Sequence, residues 1–210
     1  MPEGPEGNQS KPEVEKAPAA APAAAAPAAP VAAKPAAAAP PPKPTPVAWE
    51  DALSTQMKEQ FGGAILNALS YLGQKYFVVD RAVTLQVIEA LRNQHGFDFL
   101  TDITAVHYPK DELPMEMVWI LYSSKANERV RVKARFAESD EVPSLTGIWA
   151  GANWLEREVF DMFGIRFANH PDLRRILMPE DWTGYPLRKD YALDQQDTAW
   201  VQKNLGIERG

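Results

Sequence analysis

The sequence predicts an α+β fold: helices packed on one face of a mostly antiparallel sheet, followed by a short helix and an extended C-terminal arm. Three observations predict it. Elements come in runs, with three consecutive strands after a helix, a strand and a helix, whereas a parallel α/β sheet would alternate strictly. Residues 129–136 alternate apolar with basic side chains, as in a strand with one buried face. After Gly164, apolar residues recur without a period between prolines.

The first 46 residues have a composition that cannot form a core. They hold 13 of the 19 prolines and 16 alanines, and four lysines balance four glutamates. Without aromatic side chains they cannot bury enough apolar surface to offset the entropy of ordering. We therefore expect a disordered Ala/Pro-rich extension at 1–46, an α+β domain at 47–140, a linker and amphipathic helix at 141–163, and an extended partner-binding arm at 164–210.

Two helices are predicted in the α+β domain. Apolar residues recur at every fourth position from Leu53 to Leu69, which predicts one helix over 49–71 that Gly62-Gly63 can interrupt. A short strand is predicted at 76–79. The second helix is predicted over 84–94, since Thr84 can begin it and a glycine follows at position 96.

Three strand-like runs follow, at 97–108, 115–122 and 129–136. The segments between them are short and polar, which favours antiparallel hairpins. Residues 152–163 then carry an apolar stripe at helical spacing, and Gly164 is well placed to end that helix. On this helix Arg157 and Asp161 are four positions apart, so they can form an ion pair.

The segment after Gly164 combines many apolar side chains with arginines. Such a segment is typical of an arm with apolar anchors that lies along another protein. An arm that wraps its own domain has the same composition, so the residues alone leave the two arrangements open.

Several classes of chemistry lack their residues. The sequence has no cysteine, which excludes disulfides, thiol nucleophiles and Cys-ligated zinc or iron–sulfur clusters in these residues. No phosphate-binding glycine motif or nucleophile elbow occurs, the three histidines are scattered, and no apolar run approaches the ~20 residues of a membrane span. A formal net charge of −6 does not favour nucleic-acid binding. We therefore predict no catalytic, cofactor-binding or metal site.

Three sequence blocks carry a resemblance to a known family. They are Glu-Arg-Glu-Val-Phe-Asp-Met-Phe-Gly-Ile at 156–165, His-Pro-Asp-Leu-Arg-Arg-Ile-Leu at 170–177 and the run 179–191, which contains Trp-Thr-Gly-Tyr-Pro-Leu-Arg-Lys-Asp-Tyr. Together they resemble the signature of the C subunit (30 kDa subunit) family of respiratory complex I, the NADH–quinone oxidoreductase. Residues 1–46 match nothing in that family.

The resemblance implies a cofactor-free, non-catalytic subunit of a proton-pumping translocase. In such complexes electrons pass from NADH through FMN and iron–sulfur clusters, held by partner subunits, to quinone. The implied main partner is the D subunit, with the B subunit and other peripheral-arm subunits beside it, and contact with quinone is only indirect. The implied location is peripheral, on the cytoplasmic face of the inner (plasma) membrane of a bacterium, with membrane contact only through the complex.

The expected interface residues are the charged and aromatic residues of the signature. They are Glu156, Arg157, Glu158, Asp161, His170, Arg174, Arg175, Trp182, Arg188 and Asp190. Charges buried at an interface must be paired, so we expect these acids and arginines to pair across the contact between helix and arm or with the D subunit.

Two other functions stay open at the level of the sequence. One is the equivalent subunit of a membrane-bound hydrogenase-type complex, which shares the domain and the arm. The other is a stand-alone hydrolase that uses Glu158 and Asp161 as a carboxylate pair. Nearby arginines and lysines make a network of ion pairs the simpler interpretation of those carboxylates.

Overall fold

The computed structural model describes residues 44–191 and 197–206, so nearly all of the predicted 1–46 extension lies outside the described residues. Its helices are α1 (Ala52–Phe61), α2 (Thr84–Asn93), α3 (Ala152–Phe163) and α4 (Thr198–Leu205), with short 3-10 turns at Gly62–Ala64 and Arg81–Val83. Its strands are β1 (Val47–Ala48), β2 (Ile65–Tyr71), β3 (Gln74–Val79), β4 (Phe99–His107), β5 (Met115–Ser123), β6 (Glu128–Phe136), β7 (Glu141–Pro143) and β8 (Arg166–Ala168).

Six strands form one sheet in the order β1-β2-β3-β6-β5-β4. All neighbours are antiparallel except β3 and β6, which are parallel. The buried apolar side chains of the strands and of α1, α2 and α3, apart from Val118, belong to a single apolar core. The predicted α+β class, with helices on one face of a mostly antiparallel sheet, is confirmed.

The predicted single helix over 49–71 is wrong in its second half. Helix α1 ends at Phe61, and Ile65–Tyr71 is strand β2, which pairs with β3. A repeat of four residues fits a strand as well as a helix, because four is also a multiple of the strand period of two. The missed signal was the turn that follows, where Leu72 and Gly73 have φ of 50° and 76°, as a two-residue hairpin requires.

The core lies between the sheet and the helices. Phe77, Met117 and Trp119 point inward from β3 and β5 and are fully buried, and Ile88 and Leu91 of α2 pack on the same side. Burying a side chain of this size stabilises the fold by about 1.5–3 kcal/mol. The predicted strands at 97–108, 115–122 and 129–136 and the helix at 152–163 are confirmed to within two residues at each end.

A second, two-stranded sheet places α3 in the fold. Strand β7 follows the main sheet, β8 follows α3, and the two pair in parallel with Val142 opposite Phe167. Both of these side chains are buried, as is Leu145, and all three belong to the apolar core. Both ends of the 141–168 segment are therefore attached to the domain. None of the described helices is long and apolar enough to cross a lipid bilayer.

Candidate functional site: the helix–arm junction

The candidate site is the contact between α3 and residues 170–191, which we call the helix–arm junction. The apolar stripe of α3, with Val159, Met162 and Phe163, is buried in the core. Gly164 then ends the helix in the left-handed conformation, with φ of 78°. The first block of the signature therefore forms a helix that buries its apolar face in the core, while Arg157 and Asp161 contact the arm.

Asp161 binds the arm through main-chain groups. Its Oδ2 accepts hydrogen bonds from the amides of Ile176, Leu177 and Met178 at 3.0, 2.7 and 2.8 Å. Its Oδ1 accepts one from Arg175 Nη1 at 2.6 Å, and the carboxylate has no exposed surface. One side chain therefore fixes three consecutive residues of the arm.

The surroundings of Asp161 keep it ionised. Burial acts to raise its pKa, but the amides of Met178, Ile176 and Leu177 and the Arg175 guanidinium outweigh burial, and the pKa lies below its usual value. Arg175 also donates to the Gly184 carbonyl at 3.0 Å, and its guanidinium lies 5.4 Å from the centre of the Tyr185 ring. This buried pair is therefore hydrogen-bonded on both sides.

The ion pair expected between Arg157 and Asp161 does not form. Arg157 instead donates to the carbonyls of Arg174 and Arg175, at 3.1 and 3.0 Å, and its guanidinium lies 5.1 Å from the centre of the Trp154 ring. A spacing of four positions allows an ion pair, but the arm offers each of these side chains more hydrogen bonds than the other side chain could.

Glu156 is fully buried at the start of the junction. It accepts hydrogen bonds from Ser144 Oγ at 2.7 Å and from the Leu145 amide at 2.6 Å. His170 Nε2 lies 4.0 Å from its Oε2 and 3.3 Å from the Asn153 carbonyl. The amide of Asp172 donates to His170 Nδ1 at 3.1 Å, so Nε2 is the nitrogen that carries a proton.

The environment of Glu156 predicts a pH-dependent stability. Burial raises its pKa to about 7 even though two donors act to lower it. Because the folded value exceeds the unfolded value of about 4.3, this residue stabilises the fold fully below about pH 4.3 and loses that contribution as pH rises to 7. We expect Glu156→Gln to exceed the wild type in free energy of unfolding at pH 8, on the order of 2 kcal/mol.

Urea denaturation of both proteins between pH 4.5 and 8 measures this difference. Subtracting one curve from the other removes the contributions of titrating groups that do not interact with Glu156. A difference that does not change across this range would contradict the assignment.

The end of α3 is closed by the arm. The ring of Tyr185 lies against Gly164, where a Cβ atom would come within 2.5 Å of the ring. The Arg188 Nε donates to the Phe163 carbonyl at 2.6 Å, and the Leu187 amide donates to the Met162 carbonyl at 3.1 Å. These bonds satisfy carbonyls that a helix end leaves without partners.

His107 is a junction residue that the sequence did not suggest. It is buried at the end of β4, and its Nδ1 accepts a hydrogen bond from the Lys189 amide at 3.1 Å. Because Nδ1 is the acceptor, its 3.4 Å approach to the exposed Asp190 carboxylate is not an ion pair. The two residues are more than 80 positions apart, so no local pattern could have connected them.

The side chains of the remaining expected site residues, Glu158, Arg174 and Trp182, make none of the junction hydrogen bonds described above. The side chain of Glu158 is exposed and forms no ion pair or hydrogen bond within the described ranges 44–191 and 197–206. Arg174 is exposed and pairs with Asp172 at 2.9 Å. The Trp182 ring packs edge-on to Trp200 of α4, with the centres 5.4 Å apart. The carboxylate pair of the hydrolase interpretation is thus divided between the buried Asp161 and an exposed residue.

The described part of the arm follows its own domain, but α3 and the arm together leave large apolar side chains in solvent. The exposed fractions are 62% for Trp154, 62% for Leu177 and 55% for Leu187. A groove of about 310 Å³ also opens beside α4, lined by Met178, Trp182, Pro186, Tyr191, Trp200, Val201 and Leu205. Large apolar residues grouped on a surface mark a site of protein interaction.

The arrangement holds main chain in place. Asp161, Arg157 and Arg188 direct most of their hydrogen bonds to backbone groups of the segments they join. Across residues 44–191 and 197–206, no three His, Asp or Glu side chains cluster as metal ligands would.

Known proteins resemble this chain over most of the described region. A family model described as "Respiratory-chain NADH dehydrogenase, 30 Kd subunit" matches residues 77–197. The C subunit of NADH-quinone oxidoreductase from Citrifermentans bemidjiense is 44% identical over 143 residues, which cover 68% of this chain and 89% of that protein. The C subunit from Geobacter sulfurreducens is 41% identical over 144 residues, with the same two coverages of 68% and 89%.

A solved structure shares the fold. A chain of the membrane-bound sulfane sulfur reductase, described as an archaeal respiratory membrane complex, superposes with a TM-score of 0.56 at 24% identity. The match covers 75% of this chain and 91% of that one. At that identity the likeness concerns the fold alone. The family model, which spans more than half of the sequence, and the two bacterial relatives show that this chain belongs to the 30 kDa subunit family of the respiratory-chain NADH dehydrogenase.

Proposed function

We propose that this chain is a cofactor-free, non-catalytic subunit in the peripheral arm of a proton-pumping NADH–quinone oxidoreductase. The observation that carries the proposal is its similarity to proteins named as the C subunit of NADH-quinone oxidoreductase, over 89% of their length. In this role the chain supports the quinone-site subunits, while FMN and iron–sulfur clusters reside in partner subunits. It lies peripherally on the cytoplasmic side of a bacterial membrane.

The helix–arm junction supports a structural role. A residue that relays protons or binds substrate must reach the reacting group, and the side chain of Asp161 is fully buried with four donors on it. The junction residues instead fix the path of residues 174–188. A rigid arm loses little conformational entropy when a partner binds it, which raises affinity.

The exposed apolar residues of α3 and the arm are the proposed contact with the D subunit, next to the B subunit. Leu177 and Leu187 are themselves held through their amides at the junction, so their positions are set before any partner binds. Burying these apolar side chains against a partner removes them from water, which favours binding.

A charge on this surface is expected to block assembly without unfolding the chain. Leu177→Asp and Leu187→Asp place a carboxylate at side chains that are 62% and 55% exposed, so the free energy of unfolding should change by less than about 0.5 kcal/mol. Blue-native gels of membranes that express the double variant should lack the assembled complex. Unfolding of the purified chain measures stability separately.

The matched control is Val47→Asp, at a side chain 60% exposed on the short strand β1. It should leave assembly unchanged. A complete complex in the Leu177→Asp/Leu187→Asp strain would show that the arm surface is not the contact.

The proposed function itself is tested by affinity purification of the tagged full-length chain from gently solubilised membranes. Recovery of a D-type subunit with flavin and iron–sulfur subunits, together with NADH–quinone activity, is the expected result. A nickel-binding large subunit would place the chain in a hydrogenase-type complex instead. A stable monomer without partners would overturn the proposal.

A further inference from the structure

The second surface of interest is the side of the six-stranded sheet that faces away from the helices, which we call the open face. The helices contribute their buried side chains to the core on the opposite side. Strand alternation places on the open face the side chains of Arg129, Arg131, Lys133 and Arg135 from β6, Tyr76 and Val78 from β3, and Val118, Ile120 and Tyr122 from β5. A row of four cations thus runs along the strand between two rows of apolar and aromatic side chains.

One half of this row is neutralised within the chain. Glu116 lies 3.2 Å from Lys133 Nζ and 3.0 Å from Arg135 Nε, and Asp111 lies 2.9 Å from Arg135 Nη1. Lys133 and Arg135 also lie over the rings of Tyr76 and Tyr108, 5.0 and 4.0 Å from the centres. These two cations need no further partner.

The other half of the row is not neutralised. Within the described ranges, neither Arg129 nor Arg131 forms an ion pair. Arg131 donates to Gln74, but its Nε is buried without any hydrogen-bond partner. Lys75 is engaged by Asp51 and Glu128, so its charge is also compensated. Two adjacent guanidinium groups therefore lack a counter-charge.

A pocket lies beside these two arginines. It has a volume of about 320 Å³ and opens between the β2–β3 turn and the β5–β6 turn. Its lining is polar, with residues 73–75, residues 127–129 and Arg131, and its one acidic member, Glu128, is paired with Lys75. Side chains two positions apart on a strand are about 7 Å apart on the same face, so one acidic segment can reach both guanidinium groups.

We propose that the open face is a second docking surface, which binds a segment of another subunit that presents carboxylates to Arg129 and Arg131 between apolar side chains. Guanidinium groups bind carboxylates in a planar, bidentate way, and the half-buried Tyr76, Ile120 and Tyr122 would cover the apolar part of such a segment, whereas Val118 is already buried within this chain. The formal net charge of −6 opposes adsorption of the whole protein to an anionic lipid surface. A short acidic segment, in contrast, interacts mainly with the nearby positive charges of Arg129 and Arg131.

This inference depends on the proposed function in one respect: the partner of the open face is another subunit of the same complex. It concerns a surface on the opposite side of the core from α3, so the two can fail separately. If affinity purification recovers the partner subunits while the open face stays accessible in the complex, only the open-face proposal is wrong. If nothing co-purifies, both are wrong.

Because the sequence has no cysteine, an introduced thiol is the single reactive site of this chain, and its modification is measured as a mobility shift of the tagged chain on an immunoblot. Arg129→Cys places one thiol on the open face, and Lys58→Cys places one on the exposed side of α1 as the matched control. Both are treated with maleimide–polyethylene glycol in the purified complex and again after denaturation. We expect Arg129→Cys to react at least tenfold more slowly than Lys58→Cys in the complex, and equally fast once denatured. Equal rates in the complex would overturn the proposal.

Identity of the covering segment is tested by incorporating photoreactive benzoylphenylalanine during synthesis in place of Tyr122, which pairs with Arg129 across the open face, and irradiating the purified complex. The expected cross-link is to a peptide of another subunit that contains Asp or Glu. Arg129→Glu should then lower the recovery of that subunit several-fold, while Lys58→Glu should not. Cross-linking to lipid, or to a peptide without acidic residues, would overturn the proposal.

Discussion

Replacement of Asp161 by alanine is expected to release the arm from its domain and to destabilise the chain by about 3–5 kcal/mol, the usual cost of removing one member of a buried charge pair. The substitution leaves the amides of Ile176, Leu177 and Met178 and the guanidinium of Arg175 without their acceptor. Urea denaturation measures the loss of stability. Trypsin should cleave after the arm arginines faster than in the wild type, and blue-native gels should show no assembled complex.

The control for this prediction is Asp172→Ala, which removes an exposed ion pair with Arg174. Exposed pairs contribute about 0–1 kcal/mol, so this variant should unfold and assemble almost as the wild type does. An Asp161→Ala chain that assembles normally but loses electron transfer would indicate a catalytic role and contradict the structural one. Arg175→Ala should resemble Asp161→Ala, because both changes break the same pair.

Replacement of Gly164 by alanine is expected to undock the arm by a different mechanism. The residue has φ of 78°, which costs an L-residue about 1–2 kcal/mol, and the new Cβ would lie 2.5 Å from the Tyr185 ring. Displacing the ring adds about 1–3 kcal/mol of overpacking and disturbs the Arg188 contact with the end of α3. The sum should lower the free energy of unfolding by about 2–5 kcal/mol, measured by urea denaturation.

Two further variants separate the two costs at Gly164. Gly147→Ala is the matched control, because its φ is not positive and a Cβ there meets no atom within 4 Å. Relative to Tyr185→Ala, the double variant Gly164→Ala/Tyr185→Ala has no clash and differs only by the backbone cost at position 164. A double-mutant cycle without coupling would show that the ring does not press on this glycine.

The strongest local patterns of the sequence were sufficient to predict much of the fold. The alternation in β6, the apolar stripe of α3 and the glycine after it each depend on residues within one turn or one strand. Strand β2 was mistaken for helix because its apolar spacing fits both periods. Its true state depends on pairing with β3, whose main-chain groups a helix at 65–71 would leave without this partner.

The candidate site was predictable in composition but not in its bonding. The signature acids and arginines were expected to meet, and Asp161 with Arg175 does so. The bonding between Arg157 and the arm carbonyls, and between Asp161 and the arm amides, involves main-chain groups that every residue carries, so no residue type could reveal it. His107 was missed for the same reason, since its partner is an amide of the arm.

The sequence by itself determined the fold class, the extent of the signature helix and, through the signature, the family. Those properties follow from patterns within a short stretch of chain. Only the tertiary structure decided that residues 170–191 follow their own domain, that Glu156 is buried beside His170 and that Arg129 and Arg131 lack a counter-charge within the described ranges. These three properties depend on which segments, distant in the sequence, pack against one another. That packing decides how deeply a charged group is buried and which hydrogen-bond partners it meets.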